Sequence, residues 1–91
     1  MNVREVVQAA ITYVKDIFES EGISNLGLEE VVFDSAAVEW VVTVGFSRPW
    51  DYPKNNMMAA IANVSMQPNR VYKVLRVRDS DGEILSVKNR A

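Results

Sequence analysis

Four groups of residues in this chain have the types and spacing to carry chemistry. The first is the adjacent pair Glu29-Glu30. Two carboxylates that share a site can act as acid and base. In a strand, however, neighbouring side chains point to opposite faces, so these two cannot flank one bond, and the plainer reading is solvated strand charges. The second is Asp79-Ser80-Asp81-Gly82-Glu83, which begins like a calcium loop. It lacks the further carboxylates and the distal Glu of such a loop, and a hairpin turn with Gly82 at positive φ accounts for every residue.

The third group is Arg76, Arg78, Lys88 and Arg90, with Tyr72 nearby. Basic residues interleaved with aromatics suit a nucleic-acid-binding sheet. One aromatic and a pI near 5.0 disfavour that reading, because phosphate affinity rests on summed positive charge. The fourth is the run from Trp50 and Tyr52 through Met57, Met58 and Ile61. Methionine-rich apolar segments make adaptable binding surfaces. They also serve as flaps over a sheet or as dimer-forming arms.

Much chemistry is excluded by composition. The chain has no Cys and no His. That removes disulfides, thiolate nucleophiles, cysteine-type zinc sites and the commonest general base. The serines have no imidazole to activate them. The four glycines are scattered, so no phosphate-cradling loop forms. No cofactor is expected. Asp34, Glu39 and Asp51 are the carboxylates left for a carboxylate-based enzyme, and nothing in their spacing points to one.

The elements that must position these residues are legible from periodicity. Val38, Trp40, Val42, Val44 and Phe46 recur at every second position, the signature of a strand with one strongly buried face. Val41, Thr43, Gly45 and Ser47 make the opposite face half apolar, as expected inside a sheet. Before it, Val3, Val7, Ala10, Val14, Ile17 and Phe18 follow helical spacing, with Val6 and Ile11 widening the stripe. Asn2 and Glu5 form a capping box, and Gly22 is placed to end the helix in the left-handed conformation. The spacing predicts a helix over 3–21 and strands over 27–34, 38–48, 70–79 and 83–90. Leu26 and Leu28 are out of step with Val31 and Phe33, so a bulge is expected near Glu29-Glu30. In the last hairpin Val71, Leu75 and Val77 are expected to face the core opposite Leu85 and Val87, with Ile84 facing outwards. Residues 49–69 form a connection far longer than a compact domain normally uses.

The length of 91 residues makes one domain, 1–91. Residues 1–69 carry a balance of −5 and residues 70–91 one of +3. The N-terminus does not form a signal peptide, and no apolar run approaches a membrane span, so a cytoplasmic location is expected.

The ending Val71-Tyr72-Lys73-Val74 through Asp79-Ser80-Asp81-Gly82-Glu83-Ile84-Leu85 resembles the closing hairpin of PepSY-type domains. The layout is also similar to a group of small uncharacterised bacterial proteins, whose Trp-bearing strand ends in Phe-Ser/Asp-Arg-Pro and is followed by a loop and Tyr-Lys-Val. Here the counterparts are Trp40, Phe46-Ser47-Arg48-Pro49 and Tyr72-Lys73-Val74. The PepSY resemblance implies an exported or membrane-associated setting and, for some members, peptidase inhibition. The second group implies a fold without a function.

The fold expected is α+β: an N-terminal helix on a four-stranded antiparallel sheet, a helix-β-β-β-β meander of cystatin or PepSY type. The preferred function is a non-catalytic protein-interaction module. It acts through the outer sheet face (Tyr72, Arg76, Arg78, Lys88) and the 49–69 loop (Trp50, Tyr52, Met57, Met58, Ile61), with a second copy or another protein as partner. The alternative is a small-ligand-binding protein or carboxylate enzyme with a pocket between helix and sheet lined by Trp40, Phe46 and Trp50.

Overall fold

The computed structural model describes residues 1–51 and 69–90. It is one helix, α1 (Val3–Ile17), packed on a four-stranded antiparallel sheet of β1 (Ser24–Asp34), β2 (Glu39–Ser47), β3 (Val71–Arg78) and β4 (Ile84–Asn89), in the spatial order β1-β2-β3-β4. This is the expected α+β meander.

The helix begins where its cap dictates. Asn2 Oδ1 accepts from the Glu5 N–H at 2.8 Å and Glu5 Oε1 accepts from the Asn2 N–H at 3.0 Å, which satisfies two orphan donors of the first turn. The α-helix is shorter than periodicity predicts. It stops at Ile17, and the chain continues through a 3-10 turn, Glu19–Glu21, into Gly22 at φ +63°. Gly22 takes the left-handed conformation without a Cβ penalty, and Pro49 packs 3.6 Å from where a Cβ would stand. The buried stripe is Val6, Ala10 and Val14, while Val3 and Ile17 are exposed near the two ends of the helix.

The core is this stripe against Val42, Val44, Phe46, Leu75 and Val77, all fully buried. Burying each valine, leucine or phenylalanine among them contributes about 1.5–3 kcal/mol. Phe18 closes one end, with its ring 5.1 Å from Phe46. At the other end the Phe33 and Trp40 rings meet at 4.9 Å, tilted by 60°.

Bulges set which residues reach the core. Leu28 pairs with Val44 and Glu30 with Thr43, so Glu29 is the extra residue that brings Val31 into phase. A second irregularity between Ser24 and Gly27, with Asn25 at φ +57°, starts β1 earlier than expected. In the last hairpin Arg76 pairs with Ser86 and Val77 with Ile84, leaving Leu85 as the extra residue. This corrects the expected facing: Ile84 and Val87 pack on the core, and Leu85 is exposed. The β1–β2 turn holds Val38 at φ +55°, a conformation β-branched residues rarely adopt.

β2 leads through a 3-10 turn, Pro49–Asp51, and the chain re-enters at Asn69. The Asn69 N–H donates to the Asp51 carbonyl at 3.0 Å, so the two ends of the intervening segment meet. Arg48 fixes this neck. Its backbone N–H and its Nε both donate to Asp51 Oδ2, at 2.8 and 3.1 Å, and its guanidinium lies 3.6 Å from Glu21.

Candidate functional site

The helix covers one face of the sheet. The other face is built by strand alternation into cross-strand rungs. One runs Gly27, Gly45, Tyr72, Arg90; the next Glu30, Thr43, Val74, Lys88; the next Val32, Val41, Arg76, Ser86; and at the far end Asp34, Glu39, Arg78. Tyr72, Arg76, Arg78 and Lys88 therefore share one surface, as the alternation predicts.

The charges of that surface are arranged in closed sets. Arg76 donates to Asp34 at 3.0 Å and to Glu39 at 3.1 Å, reaching diagonally from β3 to the acidic ends of β1 and β2. Arg78 donates to Asp81 at 3.0 Å and Glu83 at 2.9 Å within its own hairpin. Arg70 bonds the Asn25 carbonyl at 2.8 Å and Glu29 at 3.3 Å. Its side chain crosses directly over Gly45, where an added Cβ would sit 2.7 Å from the guanidinium and 3.0 Å from the Tyr72 ring. Arg90 stacks on Tyr72 at 3.8 Å. Lys88 makes no ion pair among the described residues.

This arrangement answers two chemical questions. A phosphate-binding face needs free cations, and here Arg76 and Arg78 each lie between two carboxylates. A general acid needs a carboxyl whose pKa is raised toward neutrality. The Arg76 hydrogen bond instead holds Asp34 below the ordinary carboxylate range, and Arg48 does the same for Asp51. Glu29 and Glu30 are separated by the bulge: Glu29 binds Arg70, and Glu30 lies on the Thr43 rung.

The Asp79–Glu83 stretch is a turn. The Gly82 N–H donates to the Arg78 carbonyl at 2.8 Å with φ +76°, and Asp81 Oδ1 accepts from the Glu83 N–H at 3.0 Å. That backbone hydrogen bond is the main reason the Asp81 carboxyl is held low. Among the described residues no cluster of three or more acidic side chains has metal-ligand proximity.

Of the loop residues, Trp50 is exposed with the Arg48 guanidinium 5.0 Å from its ring. Tyr52, Met57, Met58 and Ile61 lie outside the described residues. Among the described residues the three aromatics expected to line a pocket between helix and sheet do not share a groove. Phe46 is fully buried in the core, Trp40 is bonded to Asp79, and Trp50 is exposed. A groove of about 690 Å³ lies instead along the flank of α1, beside β4, where Ala9, Thr12 and Tyr13 face Gly82 and Ile84. A smaller one, about 300 Å³, sits near Gly22 and Ile23. Trp40, Phe46 and Trp50 line neither.

Sequence reasoning did not single out Arg70 or Gly45, and it left Asp34 and Glu39 without their partner. One signal was present. Outward positions at the end of β1 and the start of β2 are acidic where the neighbouring positions of β3 are arginine, a match that opposite charges on adjacent strands favour.

Among the described residues no helix is long and apolar enough to cross a membrane. Compared with protein-family models, with curated proteins and with solved structures, the chain matches none.

Proposed function

We propose that this chain is a non-catalytic protein-interaction module that binds through the outer face of its sheet. The observation that carries this reading is the middle of that face. Val32, Val41 and Val74 form an apolar strip around the buried Thr43, bounded at one end by the Asp34–Arg76–Glu39 set and at the other by Arg70 and Arg90 over Gly45 and Tyr72. The charged side chains are held by their own partners, so contact with another protein orders few of them. Rotamers fixed in advance lower the entropic cost of association. Residues 49–69 leave from one end of the same sheet and are the second part of the proposed surface.

The test is site-specific photo-crosslinking in the source cells, with the reactive group at position 32, 74 or, as control, 15. The reading expects one discrete adduct from positions 32 and 74 and none from position 15. An adduct of twice the chain mass identifies a second copy as the occupant of this face; any other mass identifies a different protein. Equal, diffuse labelling from all three positions, or none, refutes the reading.

A further inference from the structure

The strand order leaves β4 at an edge. The Arg90 N–H bonds the Tyr72 carbonyl, and antiparallel ladders alternate, so the backbone groups of Val87 and Asn89 point away from β3 to the open side. At the start of this edge a groove of about 690 Å³ lies between Gly82 and Ile84 and the flank of α1. A strand added beside β4 makes backbone hydrogen bonds with one edge and sends alternate side chains beneath the helix.

Charge decides the occupant. β4 starts from Asp81 and Glu83, which share the one cation Arg78 and so keep an excess of negative charge, and ends in Lys88 and Arg90. Lys88 has no ion-pair partner among the described residues, and Arg90 meets only the Tyr72 ring there. Antiparallel pairing of two β4 strands therefore sets the acidic start of each beside the basic end of the other, at both ends of the contact. The opposite edge of the sheet contrasts with this. β1 carries Glu29, Glu30 and Asp34 and no base of its own; Arg70 and Arg76 pair Glu29 and Asp34, so pairing β1 with itself brings no opposite charge to Glu30. It also carries two bulges, devices that blunt an edge, against the one at Leu85 in β4. We infer that a second copy of this chain occupies the β4 edge, giving a two-fold dimer with one continuous eight-stranded sheet. This contact is separate from the outer face and does not depend on the function proposed for it.

The test is solution mass by light scattering, with far-UV circular dichroism as the check on folding. The wild type is expected at twice the 10.2 kDa chain mass, with dissociation promoted by salt, because the end contacts are surface ion pairs. Val87→Pro removes an outward N–H and no β3–β4 bond, so it is expected as a folded chain at half the wild-type mass. Two charge variants test the pairing without touching the backbone. Glu83→Lys and Lys88→Glu with Arg90→Glu each repel themselves and are expected as monomers, and an equimolar mixture of the two recovers the dimer mass. The inference is overturned by a monomeric wild type, by a dimer that the charge variants leave intact, or by a mass that keeps growing with concentration. The last outcome would mean open-ended pairing of β4 with β1.

Discussion

The indole N–H of Trp40 donates to the carboxylate of Asp79 at 2.9 Å, across 39 positions of sequence. It ties the start of β2 to the turn after β3, beside the Asp79 N–H bond to the Val38 carbonyl. This bond gives a ranking. Asp79→Asn keeps an oxygen for the indole and is expected to retain most of the stability. Asp79→Leu leaves a part-buried donor unpaired and is expected to lose distinctly more. Urea midpoints of the two variants check the order, and equal midpoints would mean that the bond contributes nothing.

Acid should destabilise the domain in a defined way. Asp34 is held low by Arg76, Asp51 by Arg48, Asp79 first by Trp40 and then by the N-terminal ammonium, and Asp81 first by the Glu83 N–H. Each folded value lies below the unfolded one of about 3.9. The stabilisation is therefore complete above that value and is lost as pH falls through the folded values. Urea midpoints should be flat down to about pH 5 and then fall. Asp34→Asn should flatten that fall. An unchanged acid limb in this variant would place the linkage elsewhere.

Gly45 and Arg70 should be coupled. A Cβ at position 45 meets the Arg70 guanidinium and the Tyr72 ring, so Gly45→Ala is expected to cost about 1–2 kcal/mol by overpacking. With Arg70→Ala the crowding from the guanidinium is gone, and the same change should cost clearly less, the remainder coming from the Tyr72 ring. A double-mutant cycle measures this, and additivity of the two changes would refute the contact.

Val38 offers a gain. Its left-handed φ costs an L-residue about 1–2 kcal/mol, and its side chain is exposed, so little burial is lost on replacing it. Val38→Asn is expected to raise stability by roughly 0.5–1 kcal/mol, since Asn tolerates this conformation better. A lower melting temperature in this variant would show that the valine is packing against something.

The Asp51–Asn69 hydrogen bond predicts that residues 52–68 can be replaced by a short Gly-Ser linker with the fold intact. Closure entropy changes by only about 0.6 kcal/mol per halving of loop length. Circular dichroism and a cooperative melt check this, and loss of the cooperative transition would make the segment part of the core.

Most of the scaffold was legible because its signals are local. The Asn2–Glu5 cap, the glycines at 22 and 82 and the out-of-phase leucines before Glu29 each state their conformation within a few residues. The bulge at Leu85 was not legible, because Ile84-Leu85 offers two aliphatics and only the register with β3 chooses between them. The surface was legible by face and not by chemistry. Alternation places Arg76 beside Tyr72 and Lys88, but its partners lie 42 and 37 positions away. Of the residues that read as a basic patch, Arg76 and Arg78 are paired with carboxylates once the fold is in place, and Lys88 and Arg90 have no ion pair among the described residues.

The neck at Asp51 and Asn69 has a further consequence for how such a protein can diversify. β2 and β3 are already neighbours in the sheet, and Arg48 clasps the exit on its own. The anchoring of the two ends therefore does not require any residue between them. If the linker replacement keeps the cooperative melt, this port is a place where segments of different length and character can be exchanged, as cassettes on a common chassis.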